Sequence, residues 1–115
     1  MTAIKESKEE KFSKEYHFAN NNDELMGIET AIYANGNEVK RFTLSNGKVA
    51  IVRELSGEDM IQVNKLVGSN ADNYTPALMH FAVKIDGANL PMEDFPKLKG
   101  KDFNKINIQV LSLNF

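Results

Sequence analysis

VKRFTLSNGKVAIVREL, residues Val39–Leu55, is the stretch whose reading decides the fold. Two runs rich in β-formers flank Ser45-Asn46-Gly47, and Asn-Gly accepts the positive φ of a tight reversal. The spacing predicts a hairpin. With Asn46-Gly47 as a two-residue turn, Leu44 stands opposite Val49 and Phe42 opposite Ile51. Thr43 then pairs with Ala50, and Lys40 with Arg53. Phe42, Leu44, Val49 and Ile51 share one apolar face under this register, expected to pack near Val63 and Leu78.

Downstream, the signals are mostly helical. Ser56 is a good N-cap, and Asp59 stands three residues on, as in a capping box. Leu55 and Met60 have hydrophobic-staple spacing. Met60, Val63, Leu66 and Val67 mark a buried stripe with Ile61 at its margin, so a helix over 57–68 is predicted, stopped by Gly68. Thr75-Pro76 opens a second helix over 76–85, with Leu78, Met79, Ala82 and Ile85 on one face and Asp86-Gly87 ending it. Leu90–Leu98 carries two prolines and is limited to a turn or short helix, with Phe95 and Leu98 as anchors. Lys97, Lys99 and Lys101 read as a solvated linker. Over Asp102–Phe115, Phe103, Ile106, Val110 and Leu113 fit a helix, although Ile106, Ile108 and Val110 also alternate as in a strand. Length and Asp102 near the start favour the helix.

Upstream, residues 1–24 form an acidic leader with Phe12, Tyr16 and Phe18 as its large apolar groups. It is expected to be disordered, or to order on a partner by burying those rings. Residues 25–38 read as a linker or an additional short strand near 29–34, which would extend the hairpin to a three-stranded meander. Residues 39–115 form the folded domain. The expected fold class is α+β, a small N-terminal β-hairpin or three-stranded meander packed on three to four short helices.

Charge separates the same regions. Residues 1–38 carry a net charge of −4 and residues 39–115 a net +2, within an overall −2. This is too weak for a nucleic-acid footprint, and Lys40, Arg41, Lys48 and Arg53 are read as solvated charges that discourage edge pairing. The chain has 115 residues and no cysteine, which excludes disulfides and thiolate chemistry. No run is long enough to span a membrane, and no apolar signal core opens the chain, so a cytoplasmic location is expected.

No reactive constellation stands out. His17 lies in the leader and His80 inside a helix, and neither belongs to a His or Cys cluster with metal-ligand spacing. Glu58-Asp59 and Glu93-Asp94 are adjacent pairs that do not share a helix face. The serines lack a nucleophile-elbow context, and no glycine-rich phosphate loop is present. The sequence offers no basis for an enzyme, a cofactor or a metal. It points to protein binding, with Phe12, Tyr16, Phe18, Phe95, Leu113 and Phe115 as candidate partner-binding residues.

From Phe42 to Phe115 the pattern resembles phage tail assembly chaperones of the Mu-like "E, 41 or 14" group. The similarity lies in FTLSNGKVAIVREL at Phe42–Leu55, LSGEDM at Leu55–Met60 and the short helices that follow. It consists of a strand, a glycine turn, a second strand ending in REL, then a polar cap and an acidic residue opening a helix. Leu90, Leu98, Asp102 and Ile106 follow the later pattern more loosely, and the first 38 residues match nothing in it. The resemblance implies a non-enzymatic chaperone in the cytoplasm of the bacterial host. Its partner would be the tape measure protein, held during tail morphogenesis, or another helical protein segment. No nucleic acid or membrane is expected, and a homo-oligomer stays open. The alternative is a small regulatory or adaptor protein that binds a protein through its aromatic leader.

Overall fold

The computed structural model describes residues 11–115. Six strands form one antiparallel sheet in sequence order: β1 (Phe12–His17), β2 (Glu29–Tyr33), β3 (Glu38–Thr43), β4 (Val49–Arg53), β5 (Val83–Ile85) and β6 (Ala88–Asn89). A short helix, α1 (Asn21–Met26), joins β1 to β2. Two longer helices, α2 (Gly57–Val67) and α3 (Tyr74–Ala82), lie between β4 and β5, and α4 (Gly100–Asn114) closes the described chain. The α+β class expected from sequence is therefore present, with a larger sheet than a hairpin or three-stranded meander.

The leader expected to be disordered over 1–24 is corrected in its described part. Residues Phe12–His17 pair with β2, and Asn21–Met26 are helical. The first ten residues lie outside the described residues. Asn20 caps α1 by accepting a hydrogen bond from Asp23 N–H at 2.8 Å, and Gly27 ends it with φ 70°. The run Asn20-Asn21-Asn22 is thus the start of a helix. Within 25–38, the short strand is formed and pairs with β3.

The main hairpin is present, but its register is one residue from the predicted one. Phe42 pairs with Ala50, Lys40 with Val52 and Thr43 with Val49. The reason is the loop. Gly47 N–H donates to Leu44 O at 3.0 Å and Leu44 N–H to Lys48 O at 2.7 Å, which makes Ser45-Asn46-Gly47 a three-residue loop. Gly47 has φ 85°, the left-handed position that such loops require. The helix-facing side is consequently Phe42, Leu44, Ala50 and Val52, all buried, whereas Val49 and Ile51 turn to the other side and are half-buried. The slip exchanges Val49 and Ile51 for Ala50 and Val52 because side chains alternate along a strand.

Helix α2 starts as its sequence signals indicate, with Asp59 N–H donating to Ser56 Oγ at 3.1 Å and Ser56 N–H to Asp59 Oδ2 at 2.9 Å. Val63 is buried and Met60 and Val67 pack on the core, but Leu66 is exposed. Helix α3 ends at Ala82 rather than Ile85. Val83–Ile85 becomes a strand beside β4, and Asp86-Gly87 is a tight hairpin turn with φ 50° and 80° instead of a helix stop. Positive φ at both central residues is the type I′ requirement, and Asp-Gly meets it. Met92–Lys97 forms a 3-10 turn, and α4 takes the helical alternative for the last stretch. Lys101 belongs to its first turn, not to a linker.

The core lies between the sheet and α2, α3 and α4. Phe42, Leu44, Ala50, Val52, Val83 and Ile85 meet Val63, Leu78, Met79, Ala82, Phe95, Ile106 and Val110. The expected contact of the hairpin with the neighbourhood of Val63 and Leu78 is formed by the corrected face. Full burial of each large side chain stabilises by about 1.5–3 kcal/mol.

Candidate protein-binding surface

Helix α4 divides into two faces. At about 100° per residue, Asp102, Ile106, Gln109 and Val110 fall on the side toward the core, and all four are buried. Asn104, Ile108, Leu111 and Phe115 follow a spacing of four, three and four residues along the opposite side. Ile108 is 57% exposed, Leu111 42% and Phe115 71%. Three large apolar side chains at this spacing make the narrow stripe by which helices pair.

Helix α1 borders the stripe. Lys105 Nζ donates to Met26 O at 3.1 Å, which fixes the end of α1 beside α4. Met26, Lys101, Asn104, Lys105, Ile108 and Gln109 line an open groove of about 420 Å³. Its walls are largely apolar, and Lys101 and Lys105 are the two cations among them. Lys105 also lies 5.3 Å from the centre of the Phe42 ring, so it is held over the core side of the groove.

The helix itself is pinned at both ends. Asp102 accepts hydrogen bonds from Ser45 N–H at 3.0 Å and Ser45 Oγ at 2.5 Å. The Ser45 hydroxyl contributes most to holding the Asp102 carboxyl below its ordinary range. Burial opposes this, and Ser45 N–H, Lys101 and Lys99 add to it. At the other end Asn114 Oδ1 accepts from Leu55 N–H at 2.6 Å, and Asn114 Nδ2 donates to Val110 O at 3.0 Å. The outward stripe is therefore carried on a rigid support.

The six residues singled out from sequence do not form one site. Phe12 and Tyr16 lie on the sheet face turned away from the core, where Phe12 stacks on Tyr33 at 4.8 Å and meets Tyr16 edge-on at 5.6 Å. Arg41 sits 3.8 Å over the Tyr16 ring and pairs with Glu29 at 3.0 Å. Burial pushes the Tyr16 phenol above its ordinary value, with Tyr33 adding to the effect and Arg41 opposing it. Phe18 follows β1 and is exposed. Phe95 is fully buried, which corrects its assignment to a partner surface: it anchors the 3-10 turn in the core. Leu113 is half-buried against the core, and only Phe115 belongs to the stripe.

Ile108, Leu111 and Met26 were not among the residues singled out. The four-three-four spacing from Asn104 to Phe115 could have found the first two; nothing in the sequence points to Met26. Among the described residues, no group of three or more His, Cys, Asp or Glu side chains could hold a metal ion. His80 Nδ1 lies 2.7 Å from Leu90 O, and His17 Nδ1 lies 2.9 Å from Glu15 O. No helix among the described residues is long and apolar enough to cross a membrane. Comparison with family models, curated proteins and solved structures finds no match to this chain.

Proposed function

We propose that this protein is a non-enzymatic chaperone that shields an apolar helical segment of another protein on the outward face of α4. The observation that carries the reading is the exposed stripe Ile108, Leu111 and Phe115 on a helix whose other face is locked in the core. An amphipathic client helix laid on such a stripe buries apolar surface on both sides, which is the driving force of helix-in-groove recognition. No bond is made or broken in this role.

The hairpin-to-helix pattern at Phe42–Met60 resembles the tail assembly chaperones, and it supports the tape measure protein as client during phage tail morphogenesis, in the cytoplasm of the bacterial host. The adaptor alternative places binding in the aromatic leader. Two of its three rings, Phe12 and Tyr16, are already engaged by Tyr33 and Arg41, so the stripe is the better-supported surface. The test is co-purification with a tape measure protein encoded beside this chain. The intact protein should retain it, and an Ile108→Lys/Leu111→Lys variant with an unchanged circular dichroism spectrum should lose it. No association with the intact protein overturns the reading.

A further inference from the structure

We infer that the α4 stripe is covered, when no client is bound, by the α4 of a second copy of this chain in antiparallel orientation. This rests on the same surface as the client reading and adds its regulation: client and second copy exclude one another.

The stripe is self-complementary. In an antiparallel pair, Ile108 of one copy faces Leu111 of the other, with the two-fold axis between them. The same register sets Phe115 opposite Asn104. With about 1.5 Å of rise per residue, those two positions lie about 16 Å apart along one helix. The exposed ring therefore stands at one end of the stripe and the Met26–Asn104–Ile108 groove at the other. A two-fold operation brings each ring to the other copy's groove, so both contacts form at once, as an isologous interface requires.

Charge selects the orientation. Lys101 and Lys105 line the groove, and the last turn of α4 carries no basic residue. A parallel pair would set Lys101 and Lys105 beside their own counterparts. The antiparallel pair separates them and brings a Phe115 ring toward Lys101, a favourable cation–aromatic arrangement, while Lys105 keeps its bond to Met26 O. It also places them near the carbonyl end of the opposing helix, where cations are stabilised.

Sedimentation equilibrium of the full chain tests this. From about 1 to about 100 μM the mass should rise from one chain toward two. Ile108→Lys and Phe115→Ala should each weaken association roughly tenfold or more, with circular dichroism unchanged. Ile61→Lys, at an exposed apolar position on α2, should leave it intact. A wild-type chain that stays single throughout, or an Ile61→Lys effect equal to that of Ile108→Lys, overturns the inference. Adding a purified tape measure fragment separates the two readings. Dimer at high concentration with no fragment bound even where the chain is single sinks the client reading alone, and fragment binding to a chain that never dimerises sinks the dimer alone. Fragment bound with release to single chains supports both, whereas fragment bound to an intact dimer overturns mutual exclusion.

Discussion

Asp102, in the first turn of α4, closes the loop of the main hairpin by accepting both the N–H and the hydroxyl of Ser45, at 3.0 and 2.5 Å. The two residues are 57 positions apart, so one carboxylate ties the local hairpin to the final helix. It also stands where negative charge complements the helix N-terminus. Asp102→Ala should destabilise the fold by about 1–3 kcal/mol. Asp94→Ala, which removes the exposed pair with Lys97, should change it by less than about 0.5 kcal/mol. Urea denaturation of the two variants measures the difference, and equal midpoints would refute the role given to Asp102.

Acid should unfold the protein partly through Asp59 and Asp102. Burial opposes ionisation of Asp59, but hydrogen bonds from Arg53 and from Ser56 N–H outweigh it and hold the carboxyl low. Asp102 is held low mainly by the Ser45 hydroxyl. A depressed folded pKa means that the unfolded chain binds protons first as pH falls. The stabilisation is thus complete above the unfolded value of about 4 and is lost as pH drops through the lower folded values. Urea midpoints between about pH 6 and pH 2 should fall steeply at the acid end for the wild type. The Asp59→Asn/Asp102→Asn variant should start lower and fall less; parallel curves would exclude these two groups.

Gly47 fixes the hairpin register through its φ of 85°. No atom stands in the way of a Cβ there, so a substitution meets backbone strain alone. Gly47→Ala should cost about 1–2 kcal/mol. A one-residue insertion between Asn46 and Gly47 should cost more, because a register slip turns one strand's pair, Phe42 and Leu44 or Ala50 and Val52, away from the core. Thermal melting of both variants gives the order, and an insertion that melts with the wild type would contradict it.

On the outer face of the sheet, Arg41 of β3 pairs with Glu29 of β2 and lies over Tyr16 of the edge strand β1. Arg41→Ala should lower stability by about 1 kcal/mol. Hydrogen exchange should quicken in β1 before it does in β3. Arg41→Lys should restore little, since an ammonium cannot both lie flat on the ring and pair with Glu29. Unchanged protection of the β1 amides in Arg41→Ala would remove the clamp.

The sequence was most legible where a local signal has one structural meaning. Ser56 and Asp59 form the box that their spacing announces, and Phe103, Ile106, Val110 and Leu113 mark the inward side of α4. The hairpin was legible as a hairpin, but Asn46-Gly47 suits both a two-residue turn and a three-residue loop with Gly47 last. Only the ladder decides between them. Strand β1 was hidden because Ser13, Lys14 and Glu15 face solvent on an edge, where no apolar alternation is required. Val83–Ile85 continued a helical apolar pattern and became strand because β4 offers it a partner, a tertiary preference that outweighs local propensity. Phe95 looked like an anchor, and it is one, but it anchors the chain to its own core. Of the candidate surface only Phe115 was singled out, although the inward side marked by Phe103, Ile106, Val110 and Leu113 leaves Ile108 and Leu111 on the opposite side of α4; Met26 comes to it only through tertiary packing.

The two faces of α4 should respond oppositely to substitution. Ile106→Ala removes a fully buried side chain and should cost about 2–5 kcal/mol, with Val110→Ala in the same direction. Ile108→Lys and Leu111→Lys place a long side chain in solvent without breaking a core contact, and each should change stability by less than about 0.5 kcal/mol. Helix propensity does not oppose these changes, since Lys is a good helix former. The outward variants should instead reduce binding of a hydrophobic dye such as ANS, because the stripe is among the exposed apolar surface that the folded chain presents. Measuring urea midpoints and dye fluorescence on the same four variants separates core from surface. If Ile108→Lys unfolds the domain, the stripe is part of the core and the assignment of a binding face fails. If, at a protein concentration low enough for single chains, it leaves both stability and dye binding unchanged, the stripe is not an accessible apolar surface, and the client and the second copy lose their common docking site.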